Sequence, residues 1–180
     1  MEADSFGPDH LRIGVVTYET RGGTDALMGD FAARLKSDGA DVGGLLQHGR
    51  MDENGHWRMV LTDLRTGRLH PISQDLGAGS ATCSLDTSAL VEASQVLRRE
   101  IAARPDLLIV NKFAGLEAEG RGLVAELFAA IEAEIPILTT LAVRHRPAWD
   151  RIMGGAGDML DPTEAALWDW WRRTRKRGDA

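Results

Sequence analysis

The sequence predicts a three-layer α/β fold with a mainly parallel sheet. Three observations carry that reading. Four short apolar runs, at 11–18, 42–46, 107–111 and 136–141, lack the polar alternation of a strand with one wet face. Segments of helical periodicity separate them. A strand, a glycine loop, a helix and a second strand fill the first 48 residues, which is the length of one βαβ unit.

Taken in order, residues 1–10 form an acidic tail without the apolar stretch of a signal peptide. Residues 11–18 (LRIGVVTY) are β-branched and read as a buried strand. The loop ETRGGT at 19–24 leads into a helix at 25–38. Leu27, Met28, Phe31 and Leu35 there share one face, and Gly39 stands just past the end. Residues 42–46 (VGGLL) are the second strand, and 47–55 read as a polar loop. Residues 57–64 and 68–72 flank the turn signal Thr66-Gly67, which predicts a β-hairpin at 57–72. A second glycine loop covers 73–80, and 81–85 is a short extended piece. Asp86 is the predicted N-cap of a helix at 87–103.

Residues 107–110 (LLIV) are the most apolar strand and end at Asn111-Lys112-Phe113. A helix is predicted at 122–134, with Leu123, Leu127, Ala130 and Ile131 on one face. Residues 136–141 form the last predicted strand. One helical turn at 147–152, a glycine loop at 154–157 and a helix from 163 into the basic tail complete the chain. The whole of 1–180 reads as one domain. The 57–72 hairpin is an antiparallel addition to it, and 163–180 form a C-terminal helix with a basic end.

Composition narrows the function. Apolar residues make up 43% and charged residues 27% of the 180, which fits a globular chain and not a disordered one. The one cysteine, Cys83, excludes an internal disulfide and a cysteine-based zinc site. The net charge of −6 argues against a general nucleic-acid surface. No apolar run approaches the length of a membrane span. A cytoplasmic protein with a small-molecule partner is the expectation.

In parallel sheets ligands sit beyond the carboxyl ends of the strands, and four segments qualify. The first holds Arg21, Gly22, Gly23, Thr24 and Asp25, where a helix N-terminus offers amide donors and positive dipole to an anion. A Walker A loop reads GxxxxGK[ST]. Here the lysine is absent and Asp25 stands near its place. The second segment holds Asn111, Lys112 and Glu117. P-loop proteins keep an Mg²⁺-organising carboxylate at that strand end; this chain has Asn111 there, with Lys112 beside it. The third is Gln47 with His48, and the fourth Arg144 with His145, both suited to an oxyanion. Gln74 and Asp75, on the loop after the hairpin, are candidates to close over a ligand. For each segment the alternative is an ordinary solvated turn. No residue set reads as a metal site.

The strings VVTYETRGGTDALMGDFAARL, DVGGLLQ, DLRTGRLHPISQDLG, CSLD and LLIVNKFAGLEAEGRG resemble an uncharacterised bacterial family of P-loop-NTPase-like proteins. The likeness covers about 11–155. Genes of that family are often found beside molybdate transport genes, and it is in turn distantly similar to small nucleoside triphosphatases. Asn111-Lys112-Phe113 with Gly115 and Glu117 falls on their DEIGxxE segment, where only Glu117 matches a functional position. The resemblance implies a degenerate P-loop fold that binds a phosphate, a nucleotide or a molybdate-like oxyanion. The alternative is an Mg²⁺-dependent nucleoside triphosphatase in which Lys112 replaces the missing lysine and Glu117 positions water.

Overall fold

The computed structural model describes residues 11–19, 24–74 and 84–178. Its order is β1 (Ile13–Tyr18), α1 (Thr24–Ser37), β2 (Val42–Met51), β3 (Trp57–Asp63), β4 (Leu69–Pro71), β5 (Ser73–Gln74), β6 (Ser84–Leu85) and α2 (Thr87–Ala103). There follow β7 (Leu107–Val110), α3 (Gly115–Ala118), α4 (Val124–Glu132), β8 (Ile137–Ala142), a 3₁₀ turn (Val143–His145), α5 (Arg146–Met153), β9 (Asp158–Leu160) and α6 (Glu164–Gly178).

Seven strands form one sheet in the order β4-β3-β2-β7-β8-β1-β9. The run from β2 to β9 is parallel throughout, and β3 and β4 add to β2 as an antiparallel pair. Both faces are covered. Val15, Leu45, Leu108, Val110 and Ile137 pack with Ala93 and Leu97 of α2, Leu127 of α4 and Trp149 of α5. Val16, Val42, Leu107, Ile109 and Leu138 pack on the other face with Met28, Phe31 and Leu35 of α1 and Leu167 and Trp170 of α6. This double burial is why the strands read as apolar runs. Gly14 of β1 leaves room for the second layer: a Cβ there would lie 2.8 Å from both Leu138 and the Trp170 ring.

The expected architecture is therefore present, with corrections in detail. Residues 47–51 are strand and not loop, because β3 supplies backbone partners from Gln47↔Leu61 to Met51↔Trp57. The 122–134 helix begins at Val124, after a separate turn of helix, α3. The expected turn at 147–152 is a two-turn helix, α5. The glycine loop at 154–157 leads into β9, which pairs with β1 as the sheet edge. Asp86 caps α2 as expected, accepting from the amides of Ser88 and Ala89.

An ion network on two buried carboxylates, Asp63 and Glu100, fastens α2 to the β3–β4 turn. Arg99 donates to Asp63 at 2.9 Å and to Glu100 at 2.6 Å, while Arg65 donates to Glu100 at 2.7 Å. Burial alone would push Glu100 up, but its bonds from Arg65 and Arg99 outweigh it and hold the carboxyl below its ordinary value. Asp63 is lowered against the same burial by Thr66 and Arg99. A lowered folded pKa gives stability that is present above the ordinary carboxylate range and lost as pH falls through the folded value. The wild-type urea midpoint is expected to drop steeply below about pH 4, where unfolded carboxylates begin to bind protons. Glu100→Gln should be less stable at pH 7 and show a shallower acid limb. Parallel acid limbs in the two proteins would contradict this assignment.

Candidate functional site

Strands β7, β8 and β1 are adjacent and parallel, so their carboxyl ends open on one side of the sheet. The chain stays clamped as it leaves β7. The amide of Asn111 donates to the Leu45 carbonyl at 3.1 Å, and that of Phe113 donates to the Thr140 carbonyl at 3.0 Å. Lys112 is thus held between two anchored neighbours.

The Asn111 side chain is fully buried. Its Oδ1 accepts from the Thr140 hydroxyl at 3.4 Å, and its Nδ2 has no hydrogen-bond partner among the described residues. Buried polar groups are almost always paired, and one left unpaired costs on the order of 1–3 kcal/mol.

Lys112 points toward the start of α1. Its Nζ lies 4.0 Å from Asp25 Oδ1 and 6.0 Å from the centre of the Tyr18 ring. The Lys112 side chain is 19% exposed and that of Asp25 37%. A pair this long, with its carboxylate open to solvent, contributes about 1 kcal/mol at most. Thr24, the first residue of α1, is buried beside it. Tyr18 is a contact that the sequence reading missed; the signal available was the chain's single tyrosine at a strand end.

Glu117 is fixed by backbone. Its Oε2 accepts from the Ala114 amide and its Oε1 from the Leu123 amide, each at 3.0 Å. Burial pushes its carboxyl up, and the amide bonds only partly offset this. The carboxylate therefore ties both ends of the 114–123 loop together. Gly122 permits the arrangement: it sits at φ +63, and a Cβ there would collide with Glu117 Oε1.

The remaining candidates divide. Arg144 lies exposed in the 3₁₀ turn beyond β8, at the same end of the sheet, without an ion-pair partner among the described residues. His145 beside it is lowered, first by burial and then by Arg144. Gln47 and His48 lie within β2, past the end of β7, since Leu45 pairs with Val110. His48 Nδ1 shares a hydrogen bond with the Thr62 hydroxyl at 3.3 Å. The backbone of Gln74 belongs to β5 and pairs with Ser84. Arg21, Gly22, Gly23, Asp75 and Cys83 lie outside the described residues. The described candidates brought together are Asp25 and Lys112.

Residues 13–170 match the family described as protein of unknown function (DUF2478), and the chain belongs to it. It is 38% identical over 178 residues to the molybdenum import ATP-binding protein ModC 2 of Bradyrhizobium diazoefficiens. The match takes in 98% of this chain but 20% of that protein, so the chain spans about a fifth of this curated relative's length. The fold is similar to the solution structure of a human cancer-related nucleoside triphosphatase, with a TM-score of 0.56 at 16% identity. The likeness covers 92% of this chain and 85% of that one.

Proposed function

We propose that this member of the DUF2478 family binds a small anion, best a nucleotide, beyond the carboxyl ends of β1, β7 and β8 on a degenerate P-loop scaffold. Lys112 carries the reading. A half-exposed lysine on a surface needs no explanation, but this one is largely buried, braced on both sides and aimed at a helix N-terminus. It brings an ammonium group to a chain whose first loop lacks the Walker lysine. Thr24 and the amides opening α1 would add donors, Asn111 precedes Lys112 with its side-chain amide unpaired among the described residues, and Arg144 follows β8 at the same end of the sheet. The bacterial relative is an ATP-binding protein, which favours a nucleotide over bare phosphate. That relative's part in molybdenum import leads us to place this protein in molybdate handling, with molybdate as the competing ligand.

A nucleotide would arrive with Mg²⁺, and the described residues do not fit that ion well. Asn111 is neutral where a carboxylate is needed, both oxygens of Glu117 are taken by amides, and Asp25 faces Lys112. Binding without efficient turnover is the better reading, with Glu117 as a positioning residue for the loop.

Calorimetry with ATP, inorganic phosphate and molybdate tests the ligand, and Glu117→Gln tests the role. An amide keeps one acceptor and turns an NH₂ against a backbone N–H. The variant should lose about 1–3 kcal/mol of stability, from a bond to a charged group. Mg²⁺-dependent phosphate release that vanishes in Glu117→Gln, at unchanged stability, would overturn this reading in favour of a nucleoside triphosphatase.

A further inference from the structure

A cavity of about 320 Å³ lies at the end of the sheet opposite Lys112. Its walls come from the residues that precede the strands. Arg12 leads into β1, Arg104 and Asp106 into β7, and Glu134 into β8. The end of α6 closes it with Trp171, Thr174 and Arg175. The volume is at the small end of the range for small-molecule pockets.

The donors in this cavity are not used up. Arg12 donates to the Glu134 carbonyl and Arg104 to the Ala133 carbonyl, which caps the end of α4. Each guanidinium carries five N–H groups, so both keep free arms. The Arg175 side chain and the Thr174 hydroxyl bond to nothing among the described residues, although Thr174 is only 3% exposed. Of the two carboxylates, Asp106 accepts the Asp41 amide and Glu134 stands in solvent. Three cations thus line the space with two carboxylates, leaving it an excess of one positive charge.

We infer that this cavity is a second ligand site, separate from the one at Lys112, for a small polar anion bearing phosphate or carboxylate groups. Arg12, Arg104 and Arg175 form the charged clamp, the Thr174 hydroxyl adds a donor or acceptor, and Trp171 forms an apolar wall. Guanidinium forks suit both oxyanions, so recognition comes from planar, charge-assisted bonds and not from apolar contact. Because the two sites lie at opposite ends of the strands, failure at one leaves the other reading intact.

The test is an NMR titration of the whole chain at constant ionic strength with inorganic phosphate, with citrate and with sodium chloride. The Trp171 indole N–H and the Thr174 amide report the cavity, and the Lys112 and Thr24 amides report the other site. Phosphate or citrate, but not chloride, should give saturating shifts at Trp171 and Thr174, and whichever saturates identifies the headgroup. Arg175→Ala removes an exposed side chain that has no partner among the described residues, so the fold should persist, and affinity should fall about tenfold. Arg175→Lys should recover part of it. No saturation with either anion, or saturation unaltered by Arg175→Ala, overturns the proposal.

Discussion

The double variant Lys112→Ala/Arg144→Ala should lose two to four decades of affinity for the anion that calorimetry identifies. Each charge-assisted hydrogen bond contributes about 1.5–3 kcal/mol, and 1.4 kcal/mol is tenfold. The two cations are not equal in surroundings. Lys112 is 19% exposed and braced, whereas Arg144 is exposed in a 3₁₀ turn. Most of the loss should therefore come from Lys112→Ala alone, and Arg144→Ala should weaken binding modestly and in a salt-dependent way. Asp25→Asn provides the opposite sign. It removes the carboxylate that lies 4.0 Å from the ammonium, so anion binding should tighten by up to about fivefold. Unchanged affinity in Lys112→Ala would place the ligand elsewhere and remove the central support for the proposed function.

What the sequence made legible follows the range of the forces involved. Strands 107–110 and 136–141 were readable because burial on both faces leaves an apolar run, and burial is a local compositional signal. Asp86 was readable because a cap acts over three residues. Strand β9 was not: three residues after a glycine loop have no period, and only pairing to β1 makes them a strand. The end of β2 failed for the same reason, since the polar stretch around Gln47 and Arg50 looks like a loop until β3 is beside it. Within the candidate site, Lys112 was visible as one of three lysines at the end of an apolar strand. Its contacts with Tyr18 and Asp25 depend on β8 separating β7 from β1, an order that no local pattern encodes. Glu117 was visible as a family position, but its use as a loop brace appears only once the Leu123 amide is placed against it.

Trp149→Ala should be among the most damaging single changes to the fold, and its consequences should reach the site. The ring is fully buried in α5. It meets Phe113 edge to face at 5.1 Å, and its Nε1–H donates to the Ala156 carbonyl at 3.0 Å. One side chain thus joins the segment leaving β7 to the turn entering β9. Removing it loses the transfer energy of a large aromatic group, leaves a cavity and strands a buried carbonyl, together about 3–5 kcal/mol. For a chain of this length that is a fall in thermal midpoint on the order of 10 °C. Trp149→Phe keeps most of the volume and should fall less. Phe113 directly follows Lys112, so the lysine loses part of its brace when the ring behind Phe113 is gone. Trp170→Ala is the control: Trp170 is also buried, but it packs on the other face against α1. At a temperature where both variants remain folded, Trp149→Ala should bind the anion more weakly than wild type, and Trp170→Ala should bind it much as wild type does. Equal affinities in all three proteins would show that Phe113 and Trp149 hold the fold without setting the position of Lys112.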